Sequence, residues 1–186
     1  MGQTCAPVTT TTTAATATIT SNTCTSGWTG ITILYHCYNN CTVRSSYVQY
    51  TYTYVAIANT TGITFALRDD IYYFSLDNIT VWNNAAPNTQ LLLNGGFETG
   101  ILTPWIYCNP QNASHAGQLE TGNVSDGYYT YMPYSGSNFY LDGSVGNTDY
   151  LTQTFSTKIG DTYTISVWLY NPGAVTGVSV DVLMST

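Results

Sequence analysis

Charged side chains are scarce in this chain of 186 residues, where they occupy only 7% of the positions. Only three are basic, Arg44, Arg68 and Lys158, and the formal net charge at pH 7 is -7. Three cations cannot neutralise a phosphate backbone, and the net negative charge repels one. The composition therefore excludes nucleic acid and anionic membrane surfaces as partners.

Strong helix formers and long apolar runs are also scarce or missing. Lys occurs once, Glu and Arg occur twice each, and no apolar run reaches the roughly 18 residues that a membrane-spanning helix needs. The chain instead holds 33 Thr, 14 Ser and 17 Tyr, a composition typical of strands and turns. Because hydrophobic residues make up 44% of the sequence, collapse around a core is expected. We therefore predict an all-β globular chain with no membrane insertion.

Known catalytic motifs are absent as well. The sequence contains no G-x-S-x-G elbow, no H-E-x-x-H zinc motif and no phosphate loop, and neither His36 nor His115 belongs to a convincing set of Ser or Cys partners. A glycosidase needs only two carboxylates, and the ten acids leave that class open on composition. We predict that the protein is not an enzyme.

The cysteines favour disulfides over a metal site. There are five, at Cys5, Cys24, Cys37, Cys41 and Cys108. The odd count leaves one thiol free or available for an intermolecular bond, and the spacing does not determine the pairing. Zinc on His36, Cys37 and Cys41 is the alternative, but it requires a fourth ligand and closely spaced Cys pairs. Disulfides are typical of an extracellular protein, and we expect the chain to be secreted.

Several features also fit a glycoprotein. N-glycosylation sequons occur at Asn40, Asn59, Asn78, Asn112 and Asn123. Their number is close to chance in a chain so rich in Ser and Thr, so the inference depends on their combination with the cysteines, the scarce Lys and a Thr tract. Candidate O-glycosylation sites in that tract are Thr9, Thr10, Thr11, Thr12 and Thr13. Residues 8–20 are interpreted as a glycosylated stalk, a flexible linker or a β-prone strand awaiting a sheet edge.

Period-two alternation of apolar and polar residues predicts strands throughout the chain. Apolar residues alternate in 50–54, 63–67, 163–169 and 178–182, and turn-rich stretches separate these segments. The polar run 83–90 (NNAAPNTQ) indicates a connector. We divide the chain into a Thr-rich tail or donor strand at 1–23, a first β segment at 24–82, the connector at 83–90 and a second β segment at 91–186.

The second segment resembles the beginning of a known domain type. Residues 91–100 (LLLNGGFETG), followed by Trp105, resemble the opening of galactose-binding-like jelly-roll domains of the carbohydrate-binding-module kind. Residues 163–169 (YTISVWL) look like a middle strand of the same domain. The resemblance implies a jelly-roll β-sandwich.

The first segment resembles the end of that same domain type. Residues 48–81 contain an aromatic alternating strand, then FALRDD, then SLDNITV, which looks like a closing strand. Together the two resemblances cover about three-quarters of the chain. The C-terminal half of the domain therefore precedes its N-terminal half in this sequence.

This order permits two solutions for folding. The halves can fold onto each other in one chain as a circular permutant, or each half can complete a sandwich with a neighbouring chain, which propagates as a filament. The same order also arises if the sequence is cut from a longer tandem array. Our first expectation is strand exchange between subunits.

The resemblance also implies sites for ligands. Many domains of this type hold a structural Ca²⁺, and the matching positions here are Glu98 and Asp77, with Asp142 as a weaker third. Sugar binding, the family's second property, needs exposed aromatics among polar neighbours. The candidates are Trp105, Tyr128, Tyr129 and Tyr131, although alternating tyrosines are also common in sandwich walls and subunit interfaces.

Two functions follow as expectations. The first is a secreted structural protein whose copies assemble head-to-tail into a glycosylated helical homopolymer by β-strand exchange. The alternative is a monomeric carbohydrate-binding module, similar to a lectin, that binds glycans.

Overall fold

The computed structural model describes residues 21–173 and 176–186, and every regular element in them is a β-strand. The strands in chain order are β1 (Thr32–Tyr38), β2 (Val48–Val55), β3 (Thr60–Asp69), β4 (Phe74–Asn83), β5 (Ala86–Gln90), β6 (Ile106–Cys108), β7 (Gln118–Thr121), β8 (Val124–Ser125), β9 (Thr130–Tyr131), β10 (Asn138–Asp142), β11 (Asp149–Ser156), β12 (Thr162–Tyr170) and β13 (Val178–Ser185). The prediction of an all-β chain is confirmed.

Two antiparallel sheets enclose the main core. The first sheet has the order β1-β13-β3-β11-β6, and the second has the order β2-β12-β4-β10-β7, with β5 paired to β4. Strands β8 and β9 form a separate two-stranded ribbon. One continuous cluster of buried apolar side chains includes residues from both sheets, an arrangement consistent with a β-sandwich.

Each sheet combines strands from both sequence segments of the same chain. Strand β3 of the first segment lies between β13 and β11 of the second, so that Phe65 is the register partner of both Val182 and Leu151. Strand β4 likewise lies between β12 and β10. A single chain therefore supplies all the strands of both sheets, and neither sheet requires an exchanged strand for its completion.

The alternating stretches form strands because every second side chain points into the core between the two sheets. Strand β3 directs Ile63, Phe65 and Leu67 into the core, where each is fully buried. The same alternation places Tyr163 and Ile165 of β12 inside, whereas Thr164 is partly exposed. The strands expected over 50–54, 63–67, 163–169 and 178–182 are confirmed as β2, β3, β12 and β13.

The expected connector contains a short strand. Asn83 Oδ1 accepts a hydrogen bond from the backbone N–H of Ala85, which turns the chain back along β4. Gln90 Oε1 then accepts hydrogen bonds from the backbone N–H groups of Val81, Leu91 and Leu92. Pro87 is tolerated in β5 because this strand pairs only with β4. Residues 86–90 therefore form a hairpin with β4 where the sequence suggested an extended link.

A disulfide fixes the N-terminal turn of the described chain to the first sheet. Cys24 is bonded to Cys108 of β6 across 84 residues of sequence. Trp28 packs edge-on against Tyr150, in a small cluster that also holds Ala66 and Leu183. The turn thus covers the outer face of the sheet, and the disulfide closes most of the described chain into one loop.

Removal of this disulfide tests the contribution of that loop. We expect the Cys24→Ser/Cys108→Ser variant to lose roughly 4 kcal/mol of unfolding free energy, because a long loop restricts the unfolded chain most. The matched Cys37→Ser/Cys41→Ser variant opens a loop of only four residues and is expected to lose about 2 kcal/mol. Urea denaturation of both variants measures this, and equal losses contradict the expectation.

Candidate functional site

Trp105, one of the expected sugar-binding aromatics, lies in the core. Its side chain is 4% exposed and packs against Phe65 and Phe97. The indole N–H donates a hydrogen bond to the backbone oxygen of Asn94 at 3.0 Å. The ring therefore presents no free face to a ligand and stabilises the turn after residue 93.

The three expected tyrosines differ sharply in exposure. Tyr131 is fully buried, with its hydroxyl donating to Asp126 Oδ2 at 2.9 Å and accepting the backbone N–H of Tyr73. Tyr129 is half-buried. Tyr128, by contrast, is 82% exposed, the largest exposure among the exposed large hydrophobic side chains of the described residues. Of the aromatics proposed from the sequence, Tyr128 alone has an open ring face at the surface.

Tyr128 stands at the rim of a cavity of about 180 Å³, which we call the tyrosine pocket. Its polar and aromatic lining consists of Asp69, Tyr72, Tyr73, His115, Asp126 and Tyr128. Ile71, Gly143 and Val145 complete the wall. Residues 69–73 come from the first segment and the others from the second, so the pocket exists because the two segments fold together.

One wall of the pocket is the loop that joins β3 to β4. Asp69 ends β3, and its Oδ1 accepts the backbone N–H groups of Ile71 at 3.1 Å and Tyr72 at 2.9 Å. The adjacent Asp70 binds Arg68 through both carboxylate oxygens, at 2.8 and 2.6 Å. Asp70 Oδ1 also accepts the backbone N–H of Gly146 at 2.7 Å, so this wall is tied to the loop before β11.

The opposite wall is the tight turn of the β8–β9 ribbon. Asp126 Oδ1 accepts the backbone N–H groups of Tyr128 at 2.8 Å and Tyr129 at 2.7 Å. Gly127 has a φ of 92°, a left-handed conformation that favours glycine. The Asp126 carboxylate therefore organises the turn through its two amides and the Tyr131 hydroxyl.

The tyrosine rings meet edge to face. The Tyr72 ring centroid lies 6.0 Å from that of Tyr128, with an interplanar angle of 75°, and 5.0 Å from that of Tyr129, at 81°. A Cβ atom at Gly173 would come within 2.3 Å of the Tyr72 ring, so glycine is required for this approach. Perpendicular packing positions two ring faces at different angles around the same cavity.

The pocket carries uncompensated negative charge. Asp69 is fully buried, and burial raises the pKa of its carboxyl to about 6. Its Oδ2 atom has no hydrogen-bond partner among the described residues. No Lys or Arg belongs to the described lining of the pocket, and Arg68 is already paired with Asp70.

Two of the three residues expected to bind calcium, Asp77 and Glu98, lie near each other beside Gly96, and Asp142 lies elsewhere. Asp77 accepts backbone N–H groups of Asn78 and Ser135, and Glu98 accepts those of Ser137 and Asn138. Burial raises the pKa of Asp77 to about 6, and the nearby Glu98 charge adds to this effect. In the structure these oxygens accept hydrogen bonds from backbone amides, and calcium binding by Asp77 and Glu98 stays a prediction.

Asp142, the third residue expected at that site, belongs to a different cluster. It lies beside the Asp149 carboxyl, and both side chains are fully buried. Within the described ranges, no group of three or more His, Cys, Asp and Glu side chains is arranged to hold a metal ion. Asp142 is therefore separate from Asp77 and Glu98, and a calcium ion at any of these residues stays a prediction.

The Asp142–Asp149 pair is held by neutral donors. Asp149 Oδ2 accepts the Tyr107 hydroxyl at 2.8 Å and the Gly117 N–H at 2.9 Å, and Asp142 Oδ1 accepts the Ser144 N–H at 3.0 Å. Burial and the neighbouring Asp149 carboxyl raise the pKa of Asp142 well above its usual range. The folded protein therefore holds a proton in this pair that the unfolded chain releases.

This proton makes stability depend on pH. Because the folded pKa of Asp142 exceeds the unfolded value, its contribution to the unfolding free energy is fully present below about pH 4 and is lost as the pH rises through the folded pKa. We expect Asp142→Asn, whose amide can still donate to Asp149, to reduce the fall in stability by up to about 1.4 kcal/mol per pH unit. Urea midpoints across pH measure the slope. An unchanged slope in the variant contradicts the assignment.

Four of the five cysteines form disulfides in the structure. Besides Cys24–Cys108, Cys37 is bonded to Cys41, so these two sulfurs do not provide the thiolates that the zinc alternative requires. Two disulfides are compatible with an extracellular protein. Cys5 lies outside the described residues.

Most of the sequon asparagines are accessible. Asn40, Asn59, Asn112 and Asn123 are exposed, and Asn78 in β4 is half-buried. The O-glycosylation candidates, Thr9, Thr10, Thr11, Thr12 and Thr13, lie outside the described residues. Accessibility permits N-linked glycans at four positions.

The residues that build the tyrosine pocket carry a repeated sequence signal. The pattern Asp-x-Tyr-Tyr occurs at 70–73 and again at 126–129, and these are the only adjacent tyrosine pairs in the chain. In the second copy Asp126 accepts the amides of the turn that holds the tyrosines, whereas next to the first copy the preceding Asp69 does so. Sequence reasoning found Tyr128 and Tyr129 but missed Asp69, Tyr72, Tyr73, His115 and Asp126.

No family model, no curated protein and no solved structure matches the chain. No helix of the described residues is both long and apolar enough to cross a membrane. The functional inference therefore depends on the geometry of the pocket.

Proposed function

We propose that the protein is a secreted, non-catalytic carbohydrate-binding module of the galactose-binding-like jelly-roll type, with its two half-domains in permuted order. Its ligand site in this proposal is the tyrosine pocket. The observation that carries the proposal is the 82% exposed ring of Tyr128 beside a cavity lined by Tyr72 and two carboxylates.

The chemistry of this lining suits a sugar. An aromatic ring offers a flat apolar face to the C–H face of a pyranose, while carboxylates accept hydrogen bonds from its hydroxyl groups. Asp69 Oδ2 accepts no hydrogen bond among the described residues, and a hydroxyl group of a ligand can donate one to it. The tyrosine pocket has a volume of about 180 Å³, which is enough for one sugar ring, because a cavity of roughly 150 Å³ accommodates benzene.

The positions of Asp69 and Asp126 fit a role in sugar binding better than a role in glycoside hydrolysis. Both oxygens of Asp126 accept hydrogen bonds from the ribbon, and Asp69 is fully buried. General acid and base catalysis of glycoside cleavage requires two carboxyl groups that reach the scissile bond from opposite sides. The pocket offers structural carboxylates and an aromatic face.

The binding site is tested with a glycan array followed by calorimetry on the strongest-binding oligosaccharide. We expect Tyr128→Ala to weaken binding about three- to tenfold, because one stacked ring contributes about 0.5–1.5 kcal/mol. The control is Tyr38→Ala, which removes a ring that is 65% exposed on β1, away from the pocket. Absence of saturable binding by the wild-type protein, or equal losses in both variants, would falsify the site.

A second function, self-assembly into an extracellular filament, is favoured by the edges of the sheets. Strand β1 pairs only with β13, and β2 pairs only with β12, which leaves one edge of each strand open among the described residues. Neither strand contains Lys, Arg, Asp, Glu or Pro, the residues that usually protect an edge. An added strand from another copy, such as the Thr-rich tail, can extend either sheet.

Assembly is tested by charge placed at the open edge. We expect the wild-type full-length chain to form filaments visible by electron microscopy, and Gln49→Lys/Thr51→Lys on β2 to remain monomeric. Thr164→Lys on β12 is the control, because this partly exposed residue is already paired on both sides, with Thr53 of β2 and Trp82 of β4. Monodisperse wild-type particles at every concentration would rule this function out.

A further inference from the structure

The tyrosine pocket has the electrostatic character of a site for a cation. It is lined by Asp69 and Asp126, with no described Lys or Arg in its wall. Arg68, the nearest guanidinium in sequence, is held by both oxygens of Asp70. The chain as a whole carries a net charge of -7, so no general positive field opposes these carboxylates.

The orphan oxygen of Asp69 points to a ligand with a strong donor. Asp69 Oδ1 accepts two backbone N–H groups, whereas Oδ2 accepts none although the side chain is fully buried. A buried carboxylate oxygen without a donor is costly, and a charged N–H donor compensates it better than a neutral hydroxyl. The fold thus leaves one acceptor of the pocket unsatisfied.

The aromatic lining favours the same kind of ligand. Tyr72 and Tyr128 line the cavity and meet edge to face at 75°, with centroids 6.0 Å apart, and the 82% exposed Tyr128 ring keeps an open face beside the cavity. The face of an aromatic ring is negative, and an ammonium group within about 6 Å of the centroid is attracted to it. Ring faces together with carboxylates form the type of cage that recognises alkylammonium groups.

We infer that the tyrosine pocket binds an alkylammonium group, and that the ligand is a glycan with unacetylated amino sugars, whose protonated amine lies in the pocket against the Tyr128 ring and donates to Asp69. The sugar part of this inference rests on the carbohydrate-binding function proposed above. The ammonium part rests on the charge and the rings of the pocket alone. A neutral or N-acetylated sugar lacks the charge that this cage attracts.

Calorimetry at neutral pH with glucosamine trimer, N-acetylglucosamine trimer and tetramethylammonium chloride tests the inference on the full-length chain. We expect the glucosamine trimer to bind at least tenfold more tightly than the acetylated trimer. We also expect tetramethylammonium to compete, and sodium chloride at the same ionic strength to compete less.

Two variants and one control assign the effect to the pocket. Asp69→Asn removes the charge, and Tyr128→Leu keeps an exposed apolar side chain but removes the ring, so each is expected to reduce the preference for the amine at least threefold. Asp69 also accepts two amides of its own loop, so the Asp69→Asn variant can fail to fold. In that case the Tyr128→Leu variant still tests the inference. Asp161→Asn removes the same charge at a residue outside the pocket wall and is expected to leave the preference unchanged.

The outcomes separate the two proposals. Equal binding of both trimers overturns the ammonium inference and leaves the carbohydrate function standing. Binding of tetramethylammonium without either trimer supports the ammonium cage, overturns the glycan as its source and counts against the carbohydrate function. Binding of none of the three probes overturns the inference. An equal loss of preference in Asp161→Asn also overturns the assignment to this pocket.

Discussion

The pairing of strands β3 and β4 with strands from the other half of the chain is the constraint on which the structure depends. Ile63, Phe65 and Leu67 are fully buried only because β13 and β11 flank β3 and the second sheet covers it. The same pairing brings the loop at 70–73 against the β8–β9 ribbon. Core and pocket therefore arise from one topological arrangement.

Most acidic side chains in this structure bind backbone amides or hydroxyl groups, where many proteins would pair them with Lys or Arg. Asp69, Asp77, Asp126 and Asp149 accept backbone amides or tyrosine hydroxyls, and few cations are available to pair with them. An acid that caps a turn in this way stabilises loop geometry without a basic partner. The arrangement leaves negative potential where such acids line a cavity, which is the origin of the pocket's proposed selectivity.

Alternation of apolar residues was sufficient to predict β2, β3, β12 and β13, because core-facing side chains recur at every second residue of a strand. Alternation did not predict β5 or the β8–β9 ribbon. These elements depend on side-chain oxygens of Asn83, Gln90 and Asp126, which accept hydrogen bonds from backbone N–H groups. Such bonds leave only weak patterns in a sequence.

The site was harder to predict than the strands. Tyr128 was predicted because it lies in a polar stretch, but Trp105 and Tyr131 were predicted as well and are buried, and Tyr72 was not predicted. Exposure decides between a stacking platform and a core residue, and it depends on contacts distant in sequence, such as Tyr73 with Tyr131. The repeated Asp-x-Tyr-Tyr pattern was the one local signal of the pocket.

The most direct test of sugar binding at the tyrosine pocket is two-dimensional NMR of the labelled protein during titration with glucosamine trimer. The account predicts shift changes concentrated at the backbone amides of 71–73 and 126–129, with smaller changes elsewhere. Changes centred on another surface, or none at saturating trimer, would contradict it.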